Sequence, residues 1–521
     1  MSEPDEDQFY QIRGALGSIG LSASIVLVGS ILSQGMGFGT RMVMARFLPV
    51  NGYGEIVLGI TVLHLLGIVS LIGLEKAQVR YLPRAENLNE RTEIAAAIYQ
   101  IGVVLGFFWA FAGFMFADFI AGTIFNSPGM TNVVRVFALS LPFYVFYKLS
   151  IKGIQGHKET TPQVLTAKFV HPLARFGGVA MIAFAGFGAI GLSTGYNFAF
   201  VLAGLVGFYF FVRGGEYKIR SLLVPVRGSR YRELLEFSAP LAVSASFGLV
   251  TSNTDRFLLG VLDTSMAVGI YDVAFLLAKF ILFFGPILNY LFQPIMAEYD
   301  AESDIQRMDQ LYTIITRWMV ILTFPIFTLL VLFPEPLLGT FFGNEYKAGG
   351  LVLSLLAIGY FASRFVGLSD SFLVATGDTK VMMYISGTTA VLNVGLNVFL
   401  IPIYGIVGAA LATVGSLILN NTFQATYVYK ITGIHPFTRE LFVPLALAMA
   451  SLIATGAILP SRAWNIFEVV LITGALSWIF LLCILLTRSV YTIELKLADS
   501  VLDQIGIHLD LQNRLRVLTT D

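Results

Sequence analysis

About fourteen apolar stretches, each long enough to cross a bilayer as a helix, fill the chain nearly end to end. No connector between them is long enough to fold as a soluble domain. A span must satisfy all its backbone polar groups internally once it is in lipid, and apolar segments of about 20 residues do so as helices, so the chain reads as an all-α polytopic membrane protein. Composition agrees: 56% of residues are hydrophobic and 13% are charged. The formal net charge of zero implies no bulk attraction to nucleic acid. The single cysteine, Cys483, excludes an intrachain disulfide framework and reads as core packing.

Apolar runs read against their Gly, Pro and charge punctuation give six predicted spans at 17–44, 53–74, 93–119, 131–151, 163–186 and 190–212. Eight more follow at 236–262, 267–296, 309–333, 349–375, 380–402, 405–429, 440–460 and 464–487. The resulting organisation is an N-terminal tail (1–16), a first lobe (17–213), a basic connector (214–235), a second lobe (236–430), two further spans (431–488) and a tail (489–521). The N-terminal tail is acidic and lacks the basic region and cleavage site of a secretory signal, so it is expected to be retained. In the C-terminal tail Ile493, Leu497, Leu502 and Ile505 recur at helical spacing, which predicts an amphipathic helix lying on the membrane.

Placing the N-terminus inside makes every second connector cytoplasmic, and Lys and Arg then concentrate on that side. Lys76, Arg80, Arg84 and Arg91 follow the second span, Lys148, Lys152 and Lys158 the fourth, and Lys218, Arg220, Arg227, Arg230 and Arg232 the sixth. Both termini are therefore expected in the cytoplasm of a multi-pass plasma-membrane protein.

The chain also resembles itself at an offset of roughly 217 residues. Gly188-Ala189-Ile190-Gly191 returns as Gly405-Ile406-Val407-Gly408, each at a short outer turn, and Gln155-Gly156-His157-Lys158 has its counterpart in Thr376-Gly377-Asp378-Thr379. The turn through Gly52-Tyr53-Gly54 answers that through Val268-Gly269-Ile270-Tyr271. Six spans per unit carry both copies into the membrane in the same direction, which predicts two six-helix lobes related by a pseudo-twofold axis along the membrane normal, plus two C-terminal helices.

Charges inside such spans cost a few kcal/mol and face a polar cavity or a partner rather than lipid. Arg175, Lys279 and Arg364 fall near mid-membrane; Arg41, Arg46, Arg135, Asp255, Arg256 and Asp272 lie nearer the outer end; Lys168, Arg317 and Asp370 lie nearer the cytoplasm. Cations outnumber carboxylates in this set, so an anionic ligand carrying phosphate or carboxylate is the missing partner. Arg41, Arg46, Arg175, Arg256, Lys279 and Arg364 are the candidate binding cations, with the arginines favoured because guanidinium offers phosphate a planar fork. Asp255, Asp272 and Asp370 are candidate sites for coupling to Na⁺ or H⁺. Each has a plainer reading: Asp255 and Arg256 can fix interhelical packing, and Arg41 and Arg46 can snorkel. Asn393 and Asn397, and Asn420 and Asn421, fit interhelical hydrogen bonding, while His64 and His171 fit core imidazoles.

The chain shows no His/Cys/Asp/Glu cluster at metal-ligand spacing, no Walker pattern and no phosphate-cradling glycine loop. No cofactor is expected, and a membrane-embedded glycosyl- or acyltransferase lacks its usual constellation.

Three blocks carry a family resemblance. The first runs from Gly37-Phe38-Gly39-Thr40-Arg41 through Arg46-Phe47-Leu48-Pro49 to Gly52-Tyr53-Gly54. The second is Asn253-Thr254-Asp255-Arg256-Phe257 through Gly260, with Val268-Gly269-Ile270-Tyr271. The third runs from Leu392-Asn393 to Ile403-Tyr404-Gly405-Ile406-Val407-Gly408. In these the chain resembles the multidrug/oligosaccharidyl-lipid/polysaccharide (MOP) exporter superfamily, and within it the Wzx-type polysaccharide flippases. The resemblance implies a MATE-like fold of two lobes around a V-shaped, alternately opening cavity. It also implies translocation of a polyprenyl-phosphate- or pyrophosphate-linked oligosaccharide to the outer leaflet, alongside glycan-assembly enzymes, and a protein that is not itself an enzyme. Peptidoglycan-precursor flippases carry an Arg-Asp pair in the first block where this chain has Thr40-Arg41. The alternative within the superfamily is a cation-coupled multidrug exporter, which favours buried carboxylates.

Overall fold

The structure, a computed structural model, describes residues 21–459, 464–491 and 519–520. Ten helices among the described residues are long and apolar enough to cross a membrane. One of them, Thr379–Thr432, holds two of the predicted spans, because its backbone turns at Gly405 (φ 55°, ψ −131°). The predicted first, fifth and seventh spans lie in three further helices, Leu21–Phe47, His171–Ala185 and Gly228–Leu262. The predicted N-terminal tail lies outside the described residues. So does most of the predicted C-terminal amphipathic helix, of which only the short parallel pairing of Val490–Tyr491 with Thr519–Thr520 borders the described chain.

Helix ends follow local chemistry. Asn87 accepts a hydrogen bond from the Glu90 amide and opens Leu88–Met115, and Asn465 with Glu468 forms a capping box before Ile466–Leu486. The two turns of the sequence repeat, at Gly188 (φ 60°) and Gly405 (φ 55°), share a left-handed backbone that glycine adopts without steric cost.

Two predicted spans are broken rather than continuous. The eighth runs as Ser265–Ala278, a 3₁₀ turn over Lys279–Leu282, and then Gly285–Ala301, where Pro286 has no amide hydrogen to continue the ladder. The tenth runs as Gly350–Ala362, a 3₁₀ turn over Ser363–Val366, and Ser369–Ala375, with Gly367 at φ 60°. A π-helical stretch, Leu165–Val170, precedes His171–Ala185. Lys279 and Arg364 thus sit in the breaks, and Arg175 sits just past the π stretch, positions where irregular helical backbone is commonly tied to function.

The helices Leu21–Phe47 to Gly188–Gly214 pack mainly on one another, as do Ser265–Ala278 to Thr379–Thr432. The two groups meet where Val50–Leu71 crosses Ser265–Ala278. Gly54 and Gly269, one in each of the two turns that answer each other in the repeat, make this crossing backbone-tight: a Cβ at Gly54 would stand 1.7 Å from the Ser265 carbonyl oxygen, and one at Gly269 2.7 Å from that of Val50. Small residues permit this approach between membrane helices, which have no hydrophobic drive to associate in lipid. Arg46 reinforces the same end by donating to the Phe341 carbonyl (3.0 Å) and the Thr340 carbonyl.

Arg439–Ile458 and Ile466–Leu486 lie against Ile305–Leu332. Arg317, 1% exposed, donates to the carbonyls of Glu440 (3.3 Å) and Ser489, tying that pair to the bundle.

Candidate functional site

Along Leu21–Phe47, residues 34, 37, 38 and 41 recur at helical spacing and therefore share a face. Gln34, Gly37, Phe38 and Arg41 line a cavity of about 290 Å³, with Thr40 beside them. Arg175 and Tyr196 close it from the same half of the chain; Leu276, Lys279 and Phe280 close it from the other. Gly37 leaves room for the Arg175 guanidinium, whose Nη2 would lie 3.4 Å from a Cβ there.

Asp272 organises the wall nearest the glycine crossing. Its Oδ2 accepts from Arg41 Nη1 at 2.9 Å and from the Tyr53 hydroxyl at 2.5 Å, and its Oδ1 accepts from Arg256 Nε at 2.5 Å. Arg256 also lies over the Phe275 ring, 4.2 Å from its centroid. Two guanidiniums share this one carboxylate, so the trio leaves the wall with surplus positive charge.

Arg175 and Lys279 add to that surplus. Among the described residues neither has a carboxylate within 4.0 Å. Lys279 Nζ rests 4.4 Å from the Phe275 ring centroid, and Arg175 lies over Tyr196 at 5.4 Å with its Nε buried and unpartnered. Aromatic faces stabilise a cation modestly and leave its N–H groups available. An anion about 4 Å from one such cation gains about 4 kcal/mol at an effective dielectric near 20, which two or three converging cations multiply.

Of the six candidate cations, Arg41, Arg175 and Lys279 line the cavity, and Arg256 stands behind it through Asp272. Arg46 lies apart, on the carbonyls of Thr340 and Phe341. Arg364 also lies apart, with Nε and Nη2 donating to Ser363 Oγ (3.1 and 2.9 Å) and Nη1 near Gly285. Of the three candidate coupling carboxylates, Asp272 is held by arginines and Asp370 is exposed. Asp255 is buried, and its hydrogen-bond partners among the described residues are neutral donors: Thr413 at 2.7 Å, Tyr271 at 2.8 Å and Asn397 at 3.1 Å. The bond from Asn397 to Asp255 and that from Asn393 to Ser416 (2.9 Å) run between spans, as interhelical hydrogen bonding predicts, while Asn397 also donates to the Asn393 carbonyl within its own helix.

Over residues 43–349 the chain matches the family described as polysaccharide biosynthesis protein. The chain belongs to that family. It is 25% identical over 294 residues to the probable low-salt glycan biosynthesis flippase Agl15 of Haloferax volcanii, a match covering 56% of this chain and 62% of that relative, less than two thirds of its length. The lipid II flippase MurJ in an inward closed conformation superposes with a TM-score of 0.68 over 87% of this chain and 97% of that one, at 13% identity. An inward-facing MATE-family multidrug resistance transporter of the MOP superfamily gives 0.62 over 79% and 98%, at 12% identity. At these identities the likeness carries the fold, which is that of the MOP-superfamily transporters.

The stretch matching the polysaccharide biosynthesis family contains Arg175, Arg256, Asp272 and Lys279, while Arg41 lies just before it. Sequence reasoning missed Tyr53, Tyr196, Gln34 and Thr413. None carries a charge, so none stands out against an apolar span. Only Tyr53 had a signal, its place in the Gly52-Tyr53-Gly54 turn.

Proposed function

We propose that this chain is a flippase that moves a polyprenyl-phosphate- or pyrophosphate-linked oligosaccharide from the cytoplasmic to the outer leaflet by alternating access, as part of glycan export. The observation that carries this reading is the cavity holding Arg41, Arg175 and Lys279 against a single carboxylate already shared with Arg256. The linking phosphate is the negative group such a wall can hold, and Arg41 and Arg175 offer it forked donors. The sugars occupy the polar passage and the polyprenyl tail stays in lipid. The fold and the flippase name of the Haloferax relative support the same assignment.

The orientation follows from the excess of Lys and Arg on alternate connectors, which puts both termini in the cytoplasm and the glycine crossing at the outer side. The two lobes then correspond to residues 17–213 and 236–430. Arg46 braces the closed outer side. Asp255, buried among neutral donors, is the candidate coupling site for Na⁺ or H⁺; Asp370 is too exposed to be favoured. No covalent step is assigned to the chain, and glycan-assembly enzymes are the partners that supply and consume its cargo. A cationic cavity repels cationic drugs, which speaks against the multidrug-exporter alternative.

Deletion of the gene followed by mass analysis of lipid-linked glycans tests this reading. The expected result is accumulation of one lipid-linked oligosaccharide with loss of its exported product; an unchanged glycan profile would refute it.

A further inference from the structure

Arg41 does two things at once: it lines the cavity, and it holds Asp272 of the opposite half. We infer that Asp272 is a placeholder for the cargo's phosphate, and that an anion entering the cavity takes Arg41 from it and so unlatches the two halves at the glycine-crossing end. This inference rests on the flippase reading.

The geometry supports displacement rather than permanent pairing. The Arg41 side chain is 19% exposed while that of Asp272 is 3% exposed, so the cation is the partner an anion can reach. Only Nη1 of Arg41 is engaged by Asp272, which leaves further N–H donors for phosphate oxygens. Asp272 is not abandoned when Arg41 leaves, because Arg256 on its own half keeps Oδ1 at 2.5 Å. That retained pair avoids the heavy penalty of an uncompensated buried charge.

Once Arg41 turns away, the polar tie that Asp272 keeps across the halves among the described residues is Tyr53, 2.5 Å from Oδ2. Arg41 and Tyr53 both come from the first half, and Asp272 comes from the broken helix that also supplies Lys279. An anion drawn toward Arg175 and Lys279 therefore meets the latch on arrival, and its binding energy differs between the latched and unlatched forms. Such a difference is what a ligand needs to shift a conformational equilibrium.

The test uses the full chain in phosphatidylcholine nanodiscs, with Cys483→Ala and spin labels at Asn132→Cys and Glu345→Cys on the two halves. Interlabel distances and pyrophosphate binding are measured together. The latch predicts that pyrophosphate lengthens the distance, that Asp272→Asn and Tyr53→Phe lengthen it without pyrophosphate, and that Asp272→Asn binds pyrophosphate about tenfold more tightly because the competitor is gone. A merely structural Asp272 would instead weaken binding. Opening by phosphatidylglycerol in place of pyrophosphate, abolished by Arg175→Ala, would support the same latch and assign the anion to a lipid headgroup. Pyrophosphate binding that depends on Arg175 and Lys279, but with unchanged distances and no tightening in Asp272→Asn, would overturn the latch and leave the cationic cavity standing. No binding of pyrophosphate or phosphatidylglycerol to the unsubstituted cavity would overturn both.

Discussion

Gly54 and Ser265 touch so closely that a single added methyl group cannot fit: a Cβ on Gly54 would lie 1.7 Å from the Ser265 carbonyl oxygen. The obstacle is backbone, so no rotamer change relieves it. Gly54→Ala is expected to cost at least about 1–3 kcal/mol by overpacking and to push the halves apart at that end. Thermal unfolding of the purified protein checks this, with Gly177→Ala, where nothing lies within 4 Å, expected to leave the midpoint unchanged or slightly raised.

The cavity cations and the carboxylate behind them should separate function from stability. Arg175 has no carboxylate partner among the described residues, so Arg175→Ala strands no buried anion and is expected to abolish glycan export while changing stability by about 1 kcal/mol or less. Asp272→Ala removes the buried carboxylate that Arg41 and Arg256 share and is expected to cost about 3–5 kcal/mol. Unfolding curves and surface-glycan measurement on the same variants distinguish the two classes.

Asp255→Asn keeps the size of the side chain but removes the charge that a coupled cation would meet. Export by this variant is expected to lose its dependence on an imposed Na⁺ or H⁺ gradient, measured in vesicles with the two gradients clamped separately. The amide can still accept from Thr413 and Tyr271, so the protein should remain folded and extractable.

How much of this was legible in the sequence differs by level. Hydropathy located the spans because lipid demands long apolar helices, and the repeat showed in Gly188 and Gly405 because a left-handed turn favours glycine. Pro286 marks a kink in the eighth span, but the 3₁₀ turns at Lys279–Leu282 and Ser363–Val366 themselves were not visible, since such a turn inside an apolar run leaves the hydropathy pattern intact. Nor could spacing decide which cations converge. Arg46 and Arg41 are five residues apart on one helix, yet Arg46 turns to the backbone of residues 340–341 while Arg41 turns to Asp272. That choice is made by the neighbouring half of the chain. Asp255 and Arg256 show the same limit, since adjacent residues on a helix face different partners.

At the connector after Thr131–Gly156, burial and the nearby Arg91 guanidinium pull the His157 imidazole down to about 4. The unfolded chain, titrating near 6.5, then binds more protons than the folded one between these values. This contribution to stability is complete above about pH 6.5 and shrinks as the pH falls toward 4. Acidification from pH 7 to 5 is therefore expected to lower the thermal midpoint, and His157→Phe to reduce that slope.

The most direct measurement reconstitutes the purified protein into liposomes carrying the lipid-linked oligosaccharide that accumulates in the deletion strain, and follows its transfer between leaflets. The native chain should accelerate transfer, and a folded Arg175→Glu, Lys279→Glu double variant should not. Transfer by the double variant at the native rate would contradict the claim that cavity cations hold the phosphate of the cargo.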